Sequence, residues 1–233
     1  MFAQSFFNLL PKNITIQHSA IGDVEGELLP QEAKLVERAV TKRVDEFTTG
    51  RLLARQALQA HGIQNFPLLA DSKRCPIWPT GMVGSITHTN EFCIVALAQM
   101  DSIFSLGIDA ESVDRVKPDL WSMLLTEREK TYLDDLPPEQ ACHWASAIFS
   151  LKEAIFKFQF SLTQRMIGFD AIDIMPGAKE HTALLNWTDK GRPKQSSVVS
   201  DLRELTAYYY IESSYSFAAV WQLANTKPNI GAV

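Results

Sequence analysis

The sequence predicts an α+β protein, and three observations carry that prediction. Two stretches, 30–61 and 139–161, repeat apolar residues at helical spacing. Four runs, 91–98, 103–109, 205–211 and 215–223, are continuously apolar or alternate with polar residues, as strands do. The pattern also repeats faintly along the chain. A helix with charged residues (Gly50-Arg51-x-x-x-Arg55, then Lys152-Glu153-x-x-x-Lys157) precedes a loop region and then a strand of similar make-up (90–96, then 215–220). The repeat divides the chain near residue 104, into halves 1–104 and 105–233.

Residues 1–29 read as short strands and turns. Ile14, Ile16 and His18 alternate with polar neighbours, and the cluster Phe2, Phe6 and Phe7 reads as a strand or turn packed on the core. Pro30 opens a helical stretch carrying Leu35, Val36, Ala39 and Val40. A second helix follows over 44–61. Leu52, Leu53, Gln56 and Leu58 mark its inner side, Arg51 and Arg55 share a face, and Gly62 is its stop. Residues 66–83 form a loop punctuated by Pro67, Pro76, Pro79 and Gly81, and the loop holds Lys73 and Arg74. Residues 84–89 are a short strand or turn.

Residues 112–140 hold one or two short helices. Thr126, with Glu129 three residues on, reads as a capping box. Pro137 and Pro138 break the chain before the long helix. Residues 169–174 and 182–187 are further strands, Asp189-Lys190-Gly191 is a turn, and the chain from 224 onward reads as polar and loosely attached.

The totals narrow the function classes. A chain of 233 residues, 46% hydrophobic and 21% charged, can bury a core and is not a disordered segment. A net charge of −5 argues against a nonspecific nucleic-acid binder, which would be basic. Cys75, Cys93 and Cys142 are odd in number and form no C-x-x-C, which disfavours a disulfide framework or a thiolate metal site. No apolar run approaches the ~18 residues that span a bilayer, and no basic stretch precedes the first apolar residues. The expectation is a cytoplasmic protein with no transmembrane segment and no nucleic-acid partner.

The chemistry concentrates in 105–157. Asp109 and Glu111 stand at i and i+2 of a strand and so share a face. Glu153 lies one helical turn before Lys157. Three carboxylates from two elements can hold one hard divalent cation, and a neighbouring lysine can hold phosphate. That combination suits magnesium, which keeps few carboxylates and takes the rest of its shell from water and substrate phosphates. Gly107 adds room for another backbone or a ligand to approach. Taken singly, each of these acids reads more readily as a solvated strand-end or helix charge, and only their combination points to a cation.

Gly107-Ile108-Asp109-x-Glu111, followed by Phe149-Ser150-x-Lys152-Glu153-Ala154-x-x-Lys157, resembles the 4′-phosphopantetheinyl transferases. Within them it is similar to the two-halved group that serves siderophore, peptide and polyketide synthases. With its motifs the resemblance spans residues 45 to 160. It implies two similar α+β halves related by a pseudo-twofold, with the active site at their interface. It implies transfer of the 4′-phosphopantetheine arm of coenzyme A to a serine of an apo carrier protein, releasing adenosine 3′,5′-bisphosphate.

By the same resemblance Asp109, Glu111 and Glu153 coordinate Mg²⁺, Lys157 contacts the pyrophosphate and Lys152 has a supporting phosphate role. Gly50-Arg51-x-x-x-Arg55 resembles the family's first-half stretch, which makes Arg51 a coenzyme A ligand and Arg55 a candidate. The family places a basic residue just before a proline to face the nucleotide's 3′-phosphate. Here Cys75 precedes Pro76, so either Lys73 or Arg74 is that residue. The run 84–89 resembles the family's hydroxyl-His-hydroxyl motif and implies that Thr87 and His88 hold coenzyme A phosphates. His18, His61, His143 and His181 match nothing and read as structural.

The resemblance leaves the base open between Glu153 and a water on the metal. It points to carrier docking near 112–133, with Trp121, Met123 and Leu124 as an apolar patch or as core. The run 74–88 looks most like the enterobactin-type subgroup, so the expected partners are apo carrier domains of siderophore or nonribosomal peptide synthases, met by a monomer. Two other readings stay open: a magnesium-dependent coenzyme A pyrophosphohydrolase, and a non-catalytic homologue that binds coenzyme A or a synthase.

Overall fold

The computed structural model describes residues 3–191, 205–212 and 214–224. In chain order these form α1 (Gln4–Phe7), β1 (Thr15–Ala20), α2 (Pro30–Ala33), α3 (Thr41–Ala60), β2 (Met82–His88), β3 (Phe92–Gln99) and β4 (Ile103–Ser112). Then follow α4 (Trp121–Leu124), α5 (Glu127–Asp134), α6 (Pro138–Thr163), β5 (Ile172–Pro176), β6 (Ala183–Trp187), β7 (Thr206–Glu212) and β8 (Tyr215–Leu223). The expected tail beyond residue 224 lies outside the described residues.

Each long helix starts and stops for a local reason. α6 has Pro138 in its first turn, where a missing N–H leaves no intrahelical bond unmade. It ends at Gln164, which takes the left-handed conformation at φ 55°. α3 ends before Gly62, whose φ of 78° is the left-handed turn that glycine adopts freely. The Thr126 side chain accepts Glu129 N–H while the Glu129 carboxylate accepts Thr126 N–H, the reciprocal cap expected at the start of α5.

Phe6 and Phe7 end a single helical turn, with Phe6 packed in the core, while Phe2 lies outside the described residues. Two local expectations are corrected. The helix opened by Pro30 stops after one turn, and α3 begins at Thr41. Gln56 points to solvent, while Ala54 and Ala57 take the inner positions beside Leu53 and Leu58.

Among the described residues β1, β3 and β2 form one antiparallel sheet in that order, and β4, β8 and β7 form another. β5 and β6 make a separate hairpin. Each three-stranded sheet is therefore built the same way: strand, long helix, strand, strand, with the last strand in the middle. This is the faint sequence repeat seen as topology.

The four main pieces stack as α3, first sheet, second sheet, α6. Cys93, Val95 and Leu97 of β3 meet Leu53, Ala54, Ala57 and Leu58 of α3. The opposite face of β3 presents Phe92, Ile94, Ala96 and Ala98 to Leu106, Ile108 and Ala110 of β4 and to Phe217, Ala219 and Trp221 of β8. β3 is thus covered on both faces, which accounts for its unbroken apolar run. α6 covers the remaining face of the second sheet, with Ile148, Leu151, Ala154 and Phe158 against Ala218 and Val220.

The sheets meet edge to edge at β2 and β4, where side-chain hydroxyls replace a backbone ladder. Ser85 Oγ accepts Ile108 N–H and Thr87 Oγ1 accepts Ala110 N–H, both at 3.1 Å.

Candidate active site

The site is built where β2, β4, α3 and α6 converge. On β4, Ser105, Gly107, Asp109 and Glu111 share the face turned to α6. Gly107 is required there. A Cβ on it would overlap Ala154 O and stand 2.7 Å from Phe158 N, so α6 lies directly on this backbone. The close approach brings Lys157 onto β4: its ammonium donates to Asp109 Oδ1 at 2.7 Å and to Ile108 O at 3.1 Å.

Asp109 is 4% exposed. Its Oδ1 also accepts the Thr87 hydroxyl at 3.1 Å, while Oδ2 is buried without a hydrogen-bond partner. Burial, then Asp109, pushes the Glu111 carboxyl up to about 7, with Glu153 adding to the rise and Arg115 and Lys157 opposing it. Burial, then Asp109, raises Glu153 as well. Glu111 makes an ion pair with the exposed Arg115 at 3.3 Å.

These acids press on one another electrostatically, the condition a bound cation relieves, and their donor chemistry fits a hard cation. An unpartnered, buried Asp109 Oδ2 fits it too. As the side chains stand, however, no group of three His, Cys, Asp or Glu residues among the described ones is arranged to hold a metal ion. Asp109 is turned by one oxygen toward Lys157, and Glu111 toward Arg115.

Next to the acids opens a cleft of about 670 Å³, walled by both halves. Lys157 and Phe160 of α6 face Arg51 of α3, Arg74 of the 66–81 loop and Ile86 and His88 of β2 across it. The three acids are not on its wall. Lys157 lines the cleft and reaches Asp109, and so links the two.

Arg51 is 6% exposed, donates through Nε to Leu68 O at 2.7 Å, and holds its guanidinium carbon 4.0 Å from the centre of the Phe47 ring. Burial lowers it to about 10, which leaves it charged at neutral pH. Burial also lowers His88, while nearby Glu46 raises it. Lys73 crosses to the other half, donating to Gln164 O at 2.7 Å over the Phe160 ring. Arg74 sits on the cleft wall at φ 67°.

Three expected phosphate contacts are placed elsewhere. The Lys152 ammonium is buried and donates to Glu129 at 2.7 Å, Leu124 O at 3.0 Å and Phe169 O at 2.5 Å, so it ties α6 to α5, to the end of α4 and to the segment that follows α6. Arg55 pairs with buried Glu32 and donates to Glu27 O, away from the cleft. Thr87 is 4% exposed, and its hydroxyl serves β4 and Asp109 rather than a ligand. Of the proposed docking patch, Leu124 is core, Trp121 is half-buried against it, and Met123 is 65% exposed.

Arg43, Glu46 and Phe47 were missed in the sequence. Arg43, Phe47 and Arg51 recur at intervals of four, the spacing of one helix face, and that spacing was the available signal.

A family described as "4′-phosphopantetheinyl transferase N-terminal domain" matches residues 31–98, and "4′-phosphopantetheinyl transferase superfamily" matches residues 105–219. The 4′-phosphopantetheinyl transferase Svp of Streptomyces mobaraensis is 37% identical over 183 residues, 76% of this chain and 74% of its own length. This chain belongs to the 4′-phosphopantetheinyl transferase superfamily.

Another phosphopantetheinyl transferase of the superfamily, PptT of Mycobacterium tuberculosis, is 39% identical over 61% of this chain and 62% of its own length. Enterobactin synthase component D of Salmonella typhi is 30% identical over 67% of this chain and 64% of its own length. The superfamily match runs through β4 and α6, and so takes in Asp109, Glu111, Glu153 and Lys157. Among the described residues no helix is long and apolar enough to cross a membrane.

Proposed function

We propose that this chain transfers the 4′-phosphopantetheine arm of coenzyme A to a serine of an apo carrier protein and releases adenosine 3′,5′-bisphosphate. Lys157 is the observation that carries this reading. One ammonium both lines a basic cleft built by the two halves and bonds Asp109 of the acid cluster.

The cleft takes coenzyme A. Arg51 and His88 hold its phosphates, and Arg74 is the better placed of the two loop cations, because Lys73 is engaged by Gln164 O. Phe47, Trp78 and Phe160 give the cleft the apolar surface a nucleotide base or pantetheine chain covers. Magnesium is the cation proposed for Asp109, Glu111 and Glu153, where it would draw charge from the pyrophosphate.

The carrier serine oxygen attacks the pantetheine-side phosphorus, a P–O bond forms, and the P–O bond to the nucleotide breaks. Lys157 neutralises the charge that grows on the phosphate oxygens. Glu153 takes the serine proton, and its raised pKa is the direction a general base near neutral pH needs.

The proposed partners are carrier domains of siderophore or other nonribosomal peptide synthases, supported by the likeness to an enterobactin synthase component. Met123 and the exposed edge of Trp121 are their proposed contact. We place the reaction in the cytoplasm, consistent with three free cysteines. The proposed units are 1–104 and 105–233, supported by the break between family matches at 98 and 105.

The test is incubation of apo carriers with coenzyme A and Mg²⁺, read by mass spectrometry. The carrier should gain one phosphopantetheine arm, and Glu153→Gln should slow this by about 10²-fold or more. A wild-type rate for Glu153→Gln at saturating Mg²⁺ would remove Glu153 from its role. Consumption of coenzyme A with no carrier present would replace transfer by hydrolysis.

A further inference from the structure

Among the described residues, the wall of the cleft carries a single carboxylate, Glu46, amid Arg43, Arg51, Arg74, His88 and Lys157. An acid facing a phosphate site repels the ligand, and more strongly in a half-enclosed cleft than in water. Its place there calls for an offsetting role, and its contacts supply one.

Glu46 is 9% exposed on α3. Its Oε2 lies 3.4 Å from Arg43 Nη1, one helical turn earlier, and 3.8 Å from His88 Nε2 on β2. Arg43 Nη1 is itself 3.3 Å from His88 Nε2, so the three groups close a triangle. Lys42, 4.0 Å from the other Glu46 oxygen, is drawn aside to Asn90, to which it donates at 2.8 Å.

We propose that Glu46 is a positioning residue for coenzyme A: its carboxylate fixes the Arg43 guanidinium and the His88 ring together on one wall, where both donate to phosphate. The proposal rests on assigning this cleft to coenzyme A. It adds Arg43 to the binding groups and gives Glu46 a role through its partners.

The physical reason has two parts. The Arg43 side chain is half exposed, and an arginine held by one carboxylate keeps the rest of its planar fork free for a ligand. The charges around His88 are Arg43 and Glu46 from α3 and Lys157 from α6. Burial and both cations disfavour the protonated ring, and Glu46 alone among these charges favours it. Removing Glu46 takes away the one neighbouring charge that favours the protonated ring, and it frees both Arg43 and His88 from their shared anchor.

The test is calorimetric titration of the full chain with coenzyme A, without carrier, for wild type, Glu46→Gln and Arg51→Ala. Glu46→Gln keeps the shape and removes the charge. It should weaken coenzyme A by about 10-fold, the scale of a lost charge-assisted contact. Affinity should also begin to fall at a lower pH than in wild type as the pH is raised. In turnover, KM for coenzyme A should rise by a larger factor than kcat falls.

Arg43→Gln is the second probe, informative even if Glu46→Gln folds poorly. It should lose comparable affinity, and the double variant should lose little more than either alone. Wild-type affinity and pH profile in Glu46→Gln, or losses in the two variants that simply add, would overturn the role of Glu46 while Arg51→Ala is weakened. If Arg51→Ala binds normally as well, the cleft assignment fails, and the Glu46 proposal fails with it.

Discussion

Thr87 and Asp109 are joined across the seam between the two sheets. The Thr87 hydroxyl donates to Asp109 Oδ1 at 3.1 Å and accepts Ala110 N–H at the same distance. One oxygen therefore stitches β2 to β4 and turns the carboxylate so that Oδ2 is left over. Thr87→Val should destabilise the protein by about 1–3 kcal/mol, because a buried N–H loses its acceptor. It should also lower transfer activity by misaligning Asp109. Thr87→Ser should keep both properties near wild type. Thermal melts and the carrier mass assay on the pair would check this, and equal damage from Ser and Val would show that the methyl group matters rather than the hydroxyl.

Two glycines in the signature motifs should answer oppositely to alanine. Gly107→Ala pushes a methyl into the backbone of α6 at Ala154 and Phe158, so the helix must move. A loss of about 3 kcal/mol or more is expected, at or above the upper end for overpacked cores, since rigid backbone is displaced. At Gly50, inside α3, the added Cβ would meet only Ile86 and Cys93 side chains, at 3.5 and 3.6 Å. There the gain in helix propensity, up to about 1 kcal/mol, should hold or raise stability. Denaturant midpoints of the two variants give the comparison.

Glu111 makes stability and cation binding depend on pH. Its carboxyl lies near 7 in the folded chain, against an ordinary value of 4.5 for a glutamate. The folded state therefore holds a proton that the unfolded state releases. Without added cation, stability should be full below about pH 4.5 and fall as pH rises to 7, by on the order of 3 kcal/mol from this group. Added Mg²⁺ should reverse that loss, bind more tightly at pH 8 than at pH 6, and release protons on binding. Calorimetry in buffers of different ionisation enthalpy measures the release. A flat stability profile between pH 4.5 and 7 would remove Glu111 from the coupled set.

Lys152 and Arg55 should report on folding rather than on coenzyme A. Lys152→Met leaves Glu129 buried beside Thr126 N–H and Ile174 N–H with its cation gone. A cost of about 3–5 kcal/mol is expected. Arg55→Ala strands buried Glu32 in the same way. Melting temperature should drop in both, while coenzyme A affinity measured well below the melt should hold within about twofold, less than 0.5 kcal/mol. A selective loss of coenzyme A affinity in Lys152→Met would restore it to the phosphate site.

The elements and the acid motif could be read from the sequence because each depends on short-range spacing. Asp109 and Glu111 share a strand face by the period of two, and Glu153 and Lys157 share a helix face by the turn. The unbroken apolar run of β3 signals cover on both sides, without saying that one cover is α3 and the other is the second sheet.

What the spacing did not reveal are partners contributed by distant segments. Lys152 looks like a phosphate ligand until Glu129 arrives from α5, and Thr87 looks like a ligand until Asp109 arrives from β4. Arg43 and Glu46 form an ordinary helix pair in isolation, and the triangle with His88 closes only when β2 is brought alongside. Lys152 and Thr87, both read as phosphate contacts, are thus engaged by the scaffold, because burial and distant partners decide what a polar group meets.

α6 runs as one 26-residue rod from Pro138 to Thr163, with Glu153 and Lys157 one turn apart on it. The proposed proton acceptor and phosphate clamp therefore ride on a single rigid lever, seated on Gly107 and pinned next to Glu153 by Lys152. A tilt of that rod shifts both groups in step, so neither can be re-aimed alone by a distant change, and adapting this protein to a new carrier is easier through its loops than through its spine.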